Sequence, residues 1–346
     1  MKEMEKKMKK FLKIIGIILL ILIILAIIAV TTGYFFIKGK LSKMQQVDID
    51  ENNLNVSETV AENLSGYRNI AIYGVDSRDS SLGKGNRSDC IIIASINNDT
   101  KEIKLVSVYR DTYVDIDGYG LDKITHAYSY GGPELALKTL NENLDLNVTE
   151  FVTVNFDAVA DAVNALGGVE IDIEANEIDY LNSYLAETSR VTGLETEQIT
   201  DTGLQTLDGV QAVAYSRIRY TEGGDYKRAE RMRTVIEAMF KKLKTKSLGE
   251  INDLADKILP EVYTNLDPDE IIKMAPTVLG YSISDSIGWP YEVKGITTDR
   301  WYSVPVTLES NVKKLHEEAF DEENYEPSEA VKEISEQIVD RTGYKN

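Results

Sequence analysis

Residues 14–37 constrain this chain more than any other stretch: they run 24 positions without a charge. A bilayer core needs only about 20 helical residues, so the run predicts one N-terminal transmembrane helix. Lys2, Lys6, Lys7, Lys9, Lys10 and Lys13 precede it, and only Lys38, Lys40 and Lys43 follow. The larger positive cluster stays in the cytoplasm. Residues 1–13 are then a cytoplasmic tail, 14–37 an anchor, and everything after them lies outside the cell. A cleavable leader has a shorter apolar region, about 7–15 residues, ending in an A-x-A-like site. Here Ala26 and Ala29 are separated by two residues rather than one. The expectation is an uncleaved signal anchor in the cell membrane.

The charge is as uneven as the hydropathy. Residues 1–43 hold nine Lys and two Glu, a net +7, so the chain's −19 leaves −26 on residues 44–346. Such a body offers no broad basic surface, which argues against a nucleic-acid partner. A hydrophobic content of 43% suffices for a core and argues against global disorder. Cys90 is the one cysteine and lies in the apolar run Cys90-Ile91-Ile92-Ile93-Ala94, which reads as a buried, inert thiol. No Cys/His metal pattern exists.

Residues 38–66 are polar with weak periodicity and read as an extracellular stalk. The folded body starts near Tyr67. Strand-like runs follow at 69–75, 90–96, 103–109 and 113–116, the last three spaced as neighbouring antiparallel strands. A helix is expected after Pro133, which suits a first turn. A strand at 150–155 precedes a helix carrying Phe156, Val159, Ala160, Val163 and Leu166 at helical spacing, for which core packing is the default and an apolar tunnel wall the alternative. Gly167-Gly168 stops it, and a strand at 169–173 follows. Residues 174–206 read as an irregular acidic excursion. A long helix is expected at 226–244, then helical runs near 249–258, 268–279, 307–319 and 327–339, with a strand at 291–296. Mixed strands and helices around one sheet predict an α/β fold, an α-β-α sandwich with a mixed central sheet. Residues 321–346 read as a packed helix or a loose tail.

Arginine placement points to the chemistry. The chain has 26 Lys and 12 Arg, yet residues 217–233 hold five Arg and one Lys. Arg78, Arg87 and Arg110 sit at or beside expected strand ends. Arginine offers a planar fork that grips phosphate or carboxylate oxygens two at a time. Arg228, Met232, Val235 and Met239 form one helical stripe, with Arg231 beside Arg228. Cations in the first turn oppose the helix dipole unless an anion joins them. Asp225 is the expected N-cap. A phosphate site is favoured, and pairing of Arg228 and Arg231 with local carboxylates is the alternative. If the runs at 69–75 and 90–96 pair antiparallel, Asp76 and Asp89 become neighbours flanked by Arg78 and Arg87. Mg²⁺ is commonly held by one or two carboxylates plus substrate phosphates, and surface turn residues are the competing reading. Arg110-Asp111-Thr112 and Lys123 are weaker signals. Tyr109, Tyr113, Tyr119, Tyr128 and Tyr130 crowd into 22 residues and read as half-buried sheet positions, with a sugar or lipid groove the alternative; His126 reads as structural, with a sugar contact or proton relay the alternative.

Taken together, the segments Gly74-Val75-Asp76-Ser77-Arg78, Arg87-Ser88-Asp89, Ser107-Val108-Tyr109-Arg110-Asp111-Thr112, Lys123-Ile124 with Ala127-Tyr128, Leu166-Gly167-Gly168-Val169, Leu207-Asp208-Gly209, Tyr215-Ser216-Arg217-Ile218-Arg219, and Asp225 with Arg228 and Arg231 are similar to a known set. The chain resembles the LytR–CpsA–Psr glycopolymer transferases of Gram-positive envelopes over about residues 67–320. The resemblance implies an extracellular domain, an undecaprenyl-pyrophosphate-linked glycopolymer donor, a peptidoglycan acceptor and Mg²⁺. It makes Asp76 and Asp89 the metal-side carboxylates. It makes Arg87, Arg110, Arg217, Arg219 and Arg228 pyrophosphate ligands, with Arg78, Arg231 and Lys123 beside them. Arg110, Asp111, Arg217, Arg219 and Asp225 become the catalytic candidates, either Asp111 or Asp225 receiving the acceptor's proton. A polyprenyl-pyrophosphate hydrolase and a non-catalytic lipid-binding regulator are the alternatives. Two positions depart from the family's pattern: Tyr109 stands where Pro is common, and Met232 where Gln is usual.

Overall fold

The computed structural model describes residues 31–77, 81–274, 277 and 280–345. The expected cytoplasmic tail, most of the expected anchor, and Arg78 lie outside the described residues. Among the described residues no helix is long and apolar enough to cross a membrane. Residues 31–41 are helical. Lys38 on this helix pairs with Asp269 at 2.7 Å, and Lys40 and Lys43 both pair with Asp256 at 2.5 and 2.9 Å.

The segment expected as a stalk is folded into the body. It holds β1 (Gln45–Gln46), a 3-10 turn at Glu51–Asn53 and α1 (Glu58–Asn63). The Ser57 side chain caps α1 by accepting from the Val60 N–H. Leu54, Val60 and Leu64 are buried in the main core. Three apolar residues in a polar stretch leave little periodicity to read, yet they fix its place.

β2 (Tyr67–Val75), β3 (Ser88–Asn97) and β4 (Glu102–Val108) form an antiparallel meander. β5 (Tyr113–Ile116) does not join it, against expectation. It pairs with β6 (Gly120–Lys123) in a separate hairpin. α2 (Ile124–Leu144) starts nine residues before Pro133, and Gly132, at φ +71°, kinks it where the expected helix began. β7 (Glu150–Asn155), α3 (Phe156–Ala165) and β8 (Val169–Ile173) fall where periodicity put them. The expected irregular excursion instead contains α4 (Ile178–Thr192) and β9 (Gly203–Leu207), which pairs with β8. Its core stripe is only Leu181, Leu185 and Thr188 amid acidic residues.

α5 (Gly209–Ser216) begins with a capping box, Asp208 and Gln211 each satisfying the other's backbone N–H. α6 (Gly224–Leu243), α7 (Leu248–Ile258), β10 (Tyr263–Thr264) and α8 (Pro268–Met274) follow. The last elements are β11 (Ser282–Trp289), the hairpin β12 (Val293–Thr297) with β13 (Trp301–Pro305), α9 (Leu308–Ala319) and α10 (Glu329–Thr342). α10 buries Val331, Ile334 and Ile338, so the C-terminal segment is a packed helix rather than a loose tail.

The central sheet runs β1-β10-β7-β2-β3-β4-β11. It is mixed: β1–β10, β2–β7 and β4–β11 are parallel, and the other pairs antiparallel. Alternate residues serve opposite faces. Ala71, Tyr73 and Val75 enter the core with α2, α9 and α10, while Ile72 and Gly74 face α3 and α6. One irregularity matters for the site. Gly74 lies opposite Cys90 and Val75 opposite Ser88, so Asp89 is an extra, bulged residue. A bulge bends its strand and re-aims a side chain. A Cβ on Gly74 would lie 2.8 Å from Cys90 Cβ, so only glycine lets β3 approach there.

Candidate active site

Three pieces of backbone converge on the bulge: the start of β3, the turn after β4, and the first turns of α6. They string opposite charges together. Lys123 Nζ lies 2.8 Å from Asp111 Oδ1, and Arg110 Nε lies 3.5 Å from the same oxygen. Arg110 Nη1 donates to Asp89 Oδ1. Arg228 Nη1 stands 4.0 Å from Asp89 Oδ2, and its Nη2 pairs with Asp225 Oδ1 at 3.0 Å. Arg219 is exposed and close enough for its charge to act on both Asp225 and Arg228. The Nε atoms of Arg110 and Arg228 are buried without an acceptor. Buried donors are normally satisfied, so the nest has unused capacity for an anion. Burial raises the Asp225 carboxyl above its usual range despite Arg228, and burial lowers the Arg228 guanidinium despite Asp225 and Asp89.

α6 begins two residues earlier than expected. Gly223, at φ +88°, is its N-cap residue and Asp225 lies in the first turn, so Asp225 does not cap the helix. Arg228 and Arg231 consequently sit beyond the bare N-terminal N–H groups, and it is side chains that supply their counter-charges. The stripe from Arg228 then becomes apolar. Met232, Val235 and Met239 wall a cavity of ≈ 200 Å³ together with Phe156, Val159 and Ala162 of α3 and Ile72 and Cys90 of the sheet. Core packing was the default for the α3 stripe. The structure divides it: Phe156 and Val159 line the cavity while Ala160 and Val163 are fully buried. Burial pushes the Cys90 thiol up to about 12, which keeps it unreactive. Met232 is one helical turn from Arg228, and Cys90 follows Asp89. The charged nest therefore stands at one end of an apolar cavity.

The LytR_cpsA_psr family model matches residues 31–317. The chain belongs to the LytR–CpsA–Psr family. It is 34% identical over 209 residues to a protein of Enterococcus faecalis named polyisoprenyl-teichoic acid–peptidoglycan teichoic acid transferase TagU, covering 60% of this chain and 64% of that one. The chain thus spans a little under two thirds of that relative. It is 31% identical over 233 residues to the Bacillus subtilis transferase of the same description, TagT, covering 66% and 70%. A solved structure of TagT with bound octaprenyl pyrophosphate lipid is similar at a TM-score of 0.55 and 25% identity, covering 75% of this chain and 92% of that one.

Within this LytR–CpsA–Psr domain the expected site residues divide into groups. Asp89, Arg110, Asp111, Lys123, Arg219, Asp225 and Arg228 are brought together. Asp76 and Arg87 are exposed at the joined ends of β2 and β3. Arg217 lies between the Phe156 and Tyr184 rings, 5.2 and 5.3 Å from their centroids, and bonds Thr188 and Glu187 of α4 at 3.1 and 3.0 Å. It borders the cavity through Phe156. Arg231 requires a correction. It is 1% exposed, pairs with the buried Glu177 at 2.7 Å, and bonds the Ile218 carbonyl and Thr221 hydroxyl. Its fork is used up inside the protein, so it braces the loop that carries Arg219 rather than facing a ligand.

Two partners escaped sequence reading. Arg233 is buried, donates to Ser286 at 2.8 Å and leaves Nη1 without an acceptor; its place in the arginine-rich run was the available hint. His126 bonds Asp122 at 2.8 Å, an i, i+4 pairing visible in the sequence. The Tyr109 departure has a packing reason. Its ring meets Tyr226 at 4.5 Å, and a Cβ on Gly288 would fall 2.0 Å from its hydroxyl.

The two carboxylates expected to face Mg²⁺ stand apart in their surroundings: Asp89 bonds Arg110 in the nest, and Asp76 is exposed at the end of β2. Among the described residues no group of three or more His, Cys, Asp or Glu could hold a metal. Asp89 on its bulge and the exposed Asp76 are hard oxygen donors. Mg²⁺ takes such donors one or two at a time, with phosphate oxygens and water completing its shell.

Proposed function

We propose that this protein is a membrane-anchored phosphotransferase. It moves a glycopolymer phosphate from an undecaprenyl-pyrophosphate-linked donor to a peptidoglycan sugar hydroxyl and releases undecaprenyl phosphate. The observation carrying this reading is the arginine nest at the end of an apolar cavity, which matches a ligand with a pyrophosphate head and a hydrocarbon tail. The names of the transferase relatives and the octaprenyl pyrophosphate bound by TagT support it. Residues 14–37 serve as the anchor, with the N-terminus cytoplasmic and the domain outside, beside the bilayer where the donor resides.

Arg110, Arg228 and Arg219 hold the pyrophosphate oxygens, and Arg217 lies where the head meets the tail. Asp76 and Asp89 hold Mg²⁺, which when bound neutralises phosphate charge. Phosphoryl transfer depends mainly on such positioning and charge stabilisation. The acceptor oxygen bonds to the phosphorus nearer the glycan, and that phosphorus loses its bond to the bridging oxygen. The hydroxyl proton passes to Asp111, the carboxylate beside Lys123, whereas Asp225 pairs with Arg228 on the side of the leaving phosphate. Asp111, held by Lys123, keeps Arg110 aimed. Met232 gives the cavity an adaptable apolar wall.

Reconstitution with a lipid-linked glycopolymer and peptidoglycan tests the reading. Glycan joined to wall through a phosphodiester supports it; free glycan phosphate makes the protein a hydrolase, and tight binding without turnover makes it a carrier. Chelation with EDTA stops transfer and added Mg²⁺ restores it, whereas undiminished transfer in EDTA removes the metal role from Asp76 and Asp89. The cavity is smaller than the roughly 300–1,000 Å³ usual for ligand pockets, so a prenyl chain must part α3 from α6. Ala162→Phe opposes this and weakens octaprenyl pyrophosphate binding at least about tenfold, with inorganic pyrophosphate binding unchanged. Equal loss of both ligands places the tail elsewhere.

A further inference from the structure

At the Lys123 end of the charge chain the protein has a second concavity, unlike the first. Tyr119 is 55% exposed, and Tyr130 stacks on it at 4.3 Å with the rings 14° from parallel. One face of Tyr119 is therefore covered and the other open to solvent. The Tyr130 hydroxyl donates to Asp122 Oδ2 at 2.7 Å, and His126 Nδ1 meets the same oxygen at 2.8 Å. The β5–β6 hairpin that carries Tyr119 and Asp122 faces the β12–β13 hairpin. Tyr113 meets Tyr302 between them, with ring centroids 4.8 Å apart. A groove of ≈ 150 Å³ runs there, lined by Tyr113, Leu121, Asp299, Tyr302 and Arg341 among others, with Tyr119 two residues from Leu121 along the hairpin. Asp299 accepts from the Tyr302 hydroxyl at 3.0 Å. Lys123 joins this groove to the nest: its Nζ is 5.8 Å from the Tyr302 ring centroid and 2.8 Å from Asp111.

An open aromatic face bordered by carboxylates suits a sugar ring. The negative face of a tyrosine attracts the polarised C–H bonds of a pyranose, and ionised carboxylates accept from its hydroxyl and amide groups. The direction of transfer says whose sugar it is. In phosphoryl transfer the attacking and leaving oxygens lie roughly in line across phosphorus. The lipid phosphate leaves toward the cavity at the Arg228 end, so the attacking hydroxyl arrives from the Lys123 end. We propose that the groove between the β5–β6 and β12–β13 hairpins, extended by the open face of Tyr119 at the tip of the first hairpin, is the acceptor subsite: a pyranose of the peptidoglycan glycan strand stacks on Tyr119, and Asp299 in the groove takes hydrogen bonds from the strand. This rests on the transfer reading above and adds to it where the acceptor lies.

The test uses the full chain in nanodiscs, with a lipid-linked glycopolymer as the donor for turnover and two binding probes, octaprenyl pyrophosphate and a short uncrosslinked peptidoglycan oligosaccharide. Tyr119→Ala raises the oligosaccharide KM about tenfold, the scale of one lost aromatic face, with kcat and octaprenyl pyrophosphate affinity unchanged. Tyr119→Trp keeps a face and retains wild-type KM. An unchanged acceptor KM in Tyr119→Ala overturns the proposal, as does a loss confined to the glycan-bearing donor. Direct binding separates this failure from that of the parent reading. If the wild type binds octaprenyl pyrophosphate but no oligosaccharide, the subsite falls and the nest stands. If it binds oligosaccharide in a Tyr119-dependent way but no pyrophosphate lipid, the groove stands and the transfer reading falls.

Discussion

Arg110→Ala abolishes transfer, lowering kcat/KM at least about 10³-fold, the scale of losing a preorganised charge-stabilising group. The substitution does more than remove one cation. Arg110 stands between Asp89 and Asp111, bonding the first and lying 3.5 Å from the second. Without it Asp89 and Asp111 face the incoming pyrophosphate with less counter-charge, Lys123 staying beside Asp111 and the more distant Arg228 beside Asp89. Arg110→Lys keeps the charge but loses the two-pronged grip, and falls between the wild type and alanine. Steady-state transfer measured beside urea unfolding checks this, because the side chain lies outside both hydrophobic cores and its loss leaves the midpoint near the wild type. Full turnover in Arg110→Ala would remove the nest from the reaction.

Glu177→Ala has the opposite profile, a large loss of stability from a residue remote from the nest. Glu177 and Arg231 have side chains only 2% and 1% exposed and meet at 2.7 Å. Glu177 also accepts from the Glu174 N–H, tying α4's entry to α6. Removing one member of a buried pair leaves the other charge uncompensated, at a cost of about 3–5 kcal/mol. Glu177→Met combined with Arg231→Met recovers much of that loss, since no lone charge remains. Urea midpoints of the three variants decide it. If Glu177→Ala costs less than about 1 kcal/mol, in the range of exposed pairs, the pair is not the brace described.

The contrast between Arg110 and Arg231 shows where sequence reading works. Hydrophobic pattern located β2, β3, β4, β7 and β8 to within a few residues, because β2, β7 and β8 bury alternate side chains and β3 and β4 bury consecutive ones. It also placed Arg228, Met232, Val235 and Met239 on one stripe, and that stripe proved to join nest to cavity. Period cannot tell which arginine has a buried partner waiting. Arg228 and Arg231 differ by three positions, and the difference between them is made by Glu177, 54 residues from Arg231. The Asp89 bulge was likewise invisible, since it exists only in the register of β3 against β2. β11 was missed because Ser282, Ser284 and Ser286 and the acidic Asp285 look like a loop; its pairing with β4 makes it a strand. Residues 174–206 were misread for a related reason: Leu181, Leu185 and Ile199, which enter the core, are outnumbered by acids, most of which face solvent while Glu177 does not.

The helix at residues 31–41 has a mechanical consequence. Lys38, Lys40 and Lys43 fasten it to Asp269 and Asp256 through surface ion pairs that salt weakens. Asp256 shares a helix with Ile258, which closes the far wall of the apolar cavity. The ion-pair contact with helix 31–41 and one wall of the cavity therefore belong to the same short helix, so a force on the first is carried by rigid backbone to the second.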